Sequence, residues 1–125
     1  MKIQTKSLSS KYDCLAPDGS EIRLLLSLKG GGLCHCTLIP GKTSVAVRHK
    51  TVEEMWYFLE GRGEVWRKQG KVEKVTRVKP GLCLTIPTGT HFQFRNTGNV
   101  PLRFVIVTMP PWPGAQEAVP VEGKW

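Results

Sequence analysis

The chain contains 3 histidines, His35, His49 and His91. Two of them sit in segments that also carry a glycine turn: VRHKTVEEMWYFLEGRG, residues 47–63, and PGLCLTIPTGTHFQFRN, residues 80–96. The second segment poses a question of facing. Side chains alternate along a strand, so the neighbours His91 and Phe92 cannot share a face, and a one-residue slip exchanges core for solvent. An inward His91 would let the interior hold a metal. An inward Phe92 would leave an interior suited to an apolar ligand.

The elements that must position these residues are strands. Runs with helical period are absent, and short apolar segments recur between Gly and Pro punctuation: EIRLLLSL, GLCHCTLI, TSVAVRH, MWYFLEG, GEVWRK, KVEKVTRV, LCLTIP, HFQFRN and PLRFVIVTM. Short strands at this spacing predict a sandwich or barrel. IPGK, VKPG and NTGN supply the preset and permissive φ values of tight turns. Residues 1–21 are polar and weakly patterned, which predicts an arm with one short strand at most, and the core is expected over about 22–109. The prolines of 110–125 bar that tail from a central strand, so it should run extended over the surface. Trp112, between Pro111 and Pro113, is expected in a surface groove, over a barrel mouth or on a second subunit.

At 125 residues and 13.9 kDa the chain is expected to form one domain with one core. No apolar run has the length of a signal peptide core or a membrane span, so a cytoplasmic protein without membrane contact is expected. Cys14, Cys34, Cys36 and Cys83 include a C-x-C but no paired C-x-x-C units, which argues for reduced thiols. The 18 Lys+Arg against 10 Asp+Glu give a charge of +8. Much of the excess lies in RKQGKVEKVTRVK, residues 67–79, where charge alternates with valine as on a hairpin with one wet face. Without a recognition helix or zinc finger beside it, nucleic-acid binding is not expected. No Ser or Cys sits in a Gly-flanked elbow, which argues against a nucleophile–His–acid triad.

The two segments resemble the paired motifs of the cupin family, G-x5-H-x-H-x3-4-E-x6-G and G-x5-P-x-G-x2-H-x3-N. Gly41, Glu54 and Gly61 fall in place in the first, and Gly81, Pro87, Gly89 and Asn96 in the second. The resemblance implies an all-β, single-domain double-stranded β-helix (jelly-roll) barrel, and a homodimer paired by sheet extension through the N-terminal arm. A segment TVEEMWY and a tail MPPWPG are also similar to a subgroup of bacterial cupins.

In that family three histidines and one glutamate hold a metal. Here His49 takes the second histidine slot and Glu54 the glutamate slot; Val47 occupies the first histidine slot and cannot ligate. The last histidine slot falls on Phe92, with His91 one position early. The resemblance thus implies His49, Glu54 and His91 as ligands of a divalent Fe, Mn, Ni or Zn ion, provided that a bulge before Asn96 turns His91 inward. Without the bulge Phe92 and Phe94 line the interior, and His91, Gln93 and Arg95 face out. Trp56 and Phe58 share the face of Glu54 and should line a small aromatic cavity, to which Gln93 or Arg95 adds a polar handle if His91's face is the inner one. His35 is a further residue able to face the interior. Two functions follow: a metal-dependent isomerase or oxygenase acting on a small polar metabolite, or a metal-free ligand-binding or sensory module.

Overall fold

The computed structural model describes residues 2–125. Eleven strands run in chain order: β1 (Cys14–Leu15), β2 (Glu21–Leu28), β3 (Gly31–Leu38), β4 (Val47–His49), β5 (Glu53–Glu60), β6 (Gly63–Gln69), β7 (Val72–Val78), β8 (Cys83–Ile86), β9 (His91–Asn96), β10 (Leu102–Met109) and β11 (Ala118–Pro120). They form two antiparallel sheets, ordered β1-β2-β3-β10-β5-β8 and β11-β4-β9-β6-β7. Two such sheets with their apolar faces together make the sandwich-like barrel expected from the strand pattern, in the double-stranded β-helix form that the family resemblance implies.

Strand β5 shows why the alternation is decisive. Glu54, Trp56 and Phe58 are buried while Glu53, Met55, Tyr57 and Leu59 are exposed, one face in and one face out. The hairpin β6–β7 turns at Gly70 with Gln69 opposite Val72, as the charged, valine-punctuated run predicts. Gly61, between β5 and β6, takes a positive φ of 84° beside the Pro101 carbonyl, which leaves no room for a side chain.

The barrel interior has two levels. At one end Phe58, Val65, Val78, Phe94, Leu102 and Phe104 fill the space completely. Trp56 lies at the junction, its ring centroid 4.7 Å from that of Phe104, 5.3 Å from Phe94 and 5.4 Å from Phe92. Such tilted and edge-on aromatic pairs add about 0.5–1.5 kcal/mol each beyond area burial. Beyond Trp56 the interior opens into a cavity.

One segment differs from the sequence expectation, and the tail, extended and not central as its prolines require, adds an edge strand. Strand β4 begins only at Val47, because the backbone of 43–46 is bonded elsewhere: Thr43 makes a single bridge to Arg95, and the Val45 N–H goes to the Asp18 carbonyl. The tail forms strand β11 on the edge of the second sheet, paired with β4, where Pro120 needs no donor.

Candidate functional site

The cavity has a volume of about 540 Å³ and is walled by Ile22 and Leu24 of β2, Val47 and His49 of β4, Glu54 and Trp56 of β5, Phe92 of β9, Ile106 and Thr108 of β10, and Trp112 of the tail. Leu24 is half-exposed and lies on its wall where the pairing of β2 with β3 is interrupted between Leu24 and Ser27. A space of this size suits a compact organic ligand.

His49 is placed by four neighbours. Its carbonyl accepts the Gly89 N–H at 3.0 Å, its backbone pairs with Ala118, and its ring makes edge contacts of 5.1 Å with Phe92 and with Trp112. The ring is 4% exposed and its Nδ1 has no hydrogen-bond partner. Nδ1 stands 3.9 Å from Oε2 of Glu54, beyond hydrogen-bond range. The other oxygen, Oε1, accepts the Trp56 indole N–H at 2.9 Å, which fixes the carboxyl and leaves Oε2 toward His49.

Burial sets the protonation of both groups. It pushes the Glu54 carboxyl up to about 7, aided by the nearby Asp18 and opposed by the Trp56 hydrogen bond. It pushes the His49 imidazole down to about 4, with a small opposing pull from Glu117. Asp18 also lines the cavity, its Oδ1 accepting the Ser20 N–H at 3.0 Å and hydroxyl at 2.6 Å, and burial raises its carboxyl despite those bonds.

The residues implied by the family motifs separate into two faces. Phe92 is inside, 1% exposed, opposite Val47 in the β4–β9 pair. His91 is half-buried on the opposite face of β9 and does not line the cavity. The bulge that would have turned it inward is absent, because β6 and β9 pair without a register shift from Lys68↔His91 to Gly63↔Asn96. The physical reason is packing: an inward Phe92 meets Trp56 and His49, whereas an outward His91 keeps access to water. Gln93 and Arg95 share the outer face and hold the tail. Gln93 accepts the N–H groups of Lys124 and Trp125 and donates to the carbonyls of Ser44 and Trp125, and Arg95 lies 4.2 Å over the Trp125 ring while bonded to Glu64. Phe58 is in the filled end of the barrel. His35 points away from the interior, on the same face of β3 as Leu33 and Thr37.

A metal held by His49, Glu54 and His91 therefore does not fit this geometry. Two donors converge, Val47 and Phe92 offer no lone pair, and no group of three or more His, Cys, Asp or Glu suited to an ion is found among the described residues.

Glu117, which no motif singles out, organises the cavity's tail side. It sits in a single 3₁₀ turn, Ala115–Glu117, between Trp112 and β11. Its carboxylate accepts the N–H groups of Lys50, Thr51 and Val52 at 2.8–3.1 Å together with the Thr51 hydroxyl. Burial pushes this carboxyl up, but those donors outweigh it and hold it below the ordinary range. The bonds tie the tail to the loop that follows His49. An acid in an extended segment rich in Pro and Ala was the one available signal.

These features define a double-stranded β-helix with a ligand-sized cavity at one end. Residues 34–108 match the family model described as a cupin domain, and the chain belongs to the cupin family. An uncharacterised protein of Methanocaldococcus jannaschii is 35% identical over 119 residues, covering 88% of this chain and 92% of the relative. Among solved structures, ectoine synthase from P. lautus superposes with a TM-score of 0.74 at 22% identity, over 98% of this chain and 93% of that one. A predicted oxalate decarboxylase from Thermotoga maritima superposes with a TM-score of 0.68 at 23% identity, over 83% and 98%. At these identities the likeness concerns the fold.

Proposed function

We propose that the barrel binds a small, largely apolar molecule without a metal, and that His49 and Glu54 grip its polar group and exchange a proton with it. The observation that carries this reading is the buried, unpartnered Nδ1 of His49, 3.9 Å from Glu54 Oε2 on the wall of the cavity. A buried polar atom without a partner costs free energy unless something else meets it. A ligand hydroxyl, carbonyl or amine between the two groups would complete both.

The pair suits proton transfer near neutral pH. A carboxyl held at about 7 exists in both protonation states there, and an imidazole held at about 4 is neutral and accepts. Glu54 can give a proton to one ligand atom while His49 Nδ1 takes one from a neighbouring atom, the pattern of an isomerisation. Trp112 beside His49 limits water on that side of the cavity. The structural neighbours include enzymes by name, an ectoine synthase and oxalate decarboxylases, which is consistent with a catalytic barrel. Oxalate itself suits this cavity poorly, because the acidic side chains on its wall are Asp18 and Glu54 and no Lys or Arg faces them. A homodimer belongs to the same proposal: the arm before β1 is exposed, Ile3 completely so, with backbone carbonyls at Ser9 and Ser10 held by Arg23.

The test is a titration with 2-phenylethanol followed by amide NMR shifts. Saturable shifts confined to residues around His49, Glu54, Trp56 and Phe92, weakened about fivefold or more by His49→Phe, support the reading, since one hydrogen bond is worth about 1 kcal/mol. Shifts elsewhere, or unaltered affinity in a folded His49→Phe variant, overturn it.

A further inference from the structure

The charge on the cavity wall has the opposite sign to the charge of the protein. The chain carries a net +8, yet among the residues that line the cavity the charged side chains are Asp18 and Glu54, and none is Lys or Arg. The basic residues lie elsewhere, many of them on the β6–β7 hairpin. Three large rings, Trp56, Phe92 and Trp112, line the same cavity, Trp56 5.4 Å from Phe92 and Trp112 5.1 Å from His49.

We infer that the cavity is built for an amine, a ligand with one cationic nitrogen and an apolar body, and that Asp18 and Glu54 together with the aromatic wall recognise the nitrogen. This rests on the small-molecule reading above and deepens it.

Three arguments converge. An anionic ligand would meet Asp18 and Glu54 with no cation to offset them, and the strongest donor on the wall, the Trp56 indole N–H, is already bonded to Glu54 Oε1. A cationic nitrogen finds a free carboxyl oxygen on Glu54, the unpartnered Nδ1 of His49 as an acceptor, and aromatic faces that attract cations. The distant positive charges oppose its approach only weakly, since exposed charges beyond about 8 Å are screened at physiological salt while groups inside the cavity are not. The two carboxyls also explain each other. Each sits where burial disfavours its charge, with only local hydrogen bonds in partial compensation, and a cation between them would restore the ionised form of both.

The test uses three probes of one shape: phenethylammonium, 2-phenylethanol and phenylacetate, titrated by calorimetry at pH 7.5 with the full chain. The proposal expects phenethylammonium to bind at least about tenfold more tightly than the alcohol, with phenylacetate weakest, as one compensated charge in a partly buried site requires. Asp18→Asn should remove most of the cation's advantage and leave the affinity for the alcohol within about twofold, whereas Glu54→Gln should weaken both probes and the cation more than the alcohol. If a variant fails to fold, the wild-type ranking decides the matter alone. Equal binding of cation and alcohol, or preference for phenylacetate, overturns the amine assignment while the small-molecule site stands. No binding of any of the three overturns both.

Discussion

Replacing Glu117 by alanine should destabilise the protein by about 3 kcal/mol. The carboxylate receives three backbone N–H groups and one hydroxyl. Of the backbone donors, that of Val52 belongs to a residue with no exposed surface, and losing its acceptor costs roughly 1–3 kcal/mol. Lys50 and Thr51 are exposed and can turn to water, so their bonds contribute about 0.5 kcal/mol each. In a domain of this length, about 3 kcal/mol lowers the midpoint of thermal unfolding by roughly 10 °C. Glu117→Gln keeps the shape and one acceptor oxygen and should cost about 1 kcal/mol. The carboxyl is held below its ordinary value in the folded chain. Its stabilisation is therefore complete above the unfolded value of about 4.3 and lost as pH falls through the folded value, so the gap between wild type and Glu117→Ala should narrow only in acid. Urea denaturation at several pH values measures this, and hydrogen exchange at Val52 should speed up in the variant. A cost below about 1 kcal/mol, or equal costs for Gln and Ala, would refute the assignment of Glu117 as the carboxylate that fastens the tail.

Other outcomes follow from the site. Glu54, raised to about 7, binds more protons folded than unfolded, so its contribution falls as pH rises from 4.5; His49, lowered to about 4, gives the opposite slope up to 6.5. Urea midpoints between pH 4.5 and 6.5 should thus fall with pH in His49→Phe and rise in Glu54→Gln, and slopes of one sign in both would contradict the assignment. Toward a thiol reagent at pH 8, Cys14 and Cys83 should react at once, whereas Cys36, raised by burial, and Cys34, pushed up to about 12 chiefly by burial and then by Glu54, should react only on unfolding. His91→Ala should change stability by about 0.5 kcal/mol at most and leave ligand affinity intact, while Phe92→Ala should cost about 3–5 kcal/mol, both readable by urea denaturation.

The strands were legible because alternation is local. Glu53–Glu60 reads in and out residue by residue, and the six-residue spacing from Glu54 to Gly61 selects Glu54 over Glu53 as the inward acid. What the sequence left open depends on partners far along the chain. His91 and Phe92 compete for one inward place, and the winner is set by Trp56 and by an unbroken β6–β9 register, neither of which a short motif contains. Gln93 and Arg95 read as handles for a ligand until the tail is seen to cover their face. Asp18 lies in a weakly patterned arm, and Glu117 bonds to Lys50–Val52, 65 to 67 residues away, so no local pattern could assign either.

The inward place on β9 belongs to a phenylalanine, and on the function proposed above the barrel works without a metal. Elemental analysis of untagged wild-type protein, beside the double variant Val47→His with Phe92→His, tests it most directly, because these two facing positions would complete a set with His49 and Glu54. No stoichiometric metal is expected in the wild type, even after incubation with divalent ions, and about one ion per chain in the folded variant. A stoichiometric ion in the wild type that His49→Ala and His91→Ala both remove would contradict it.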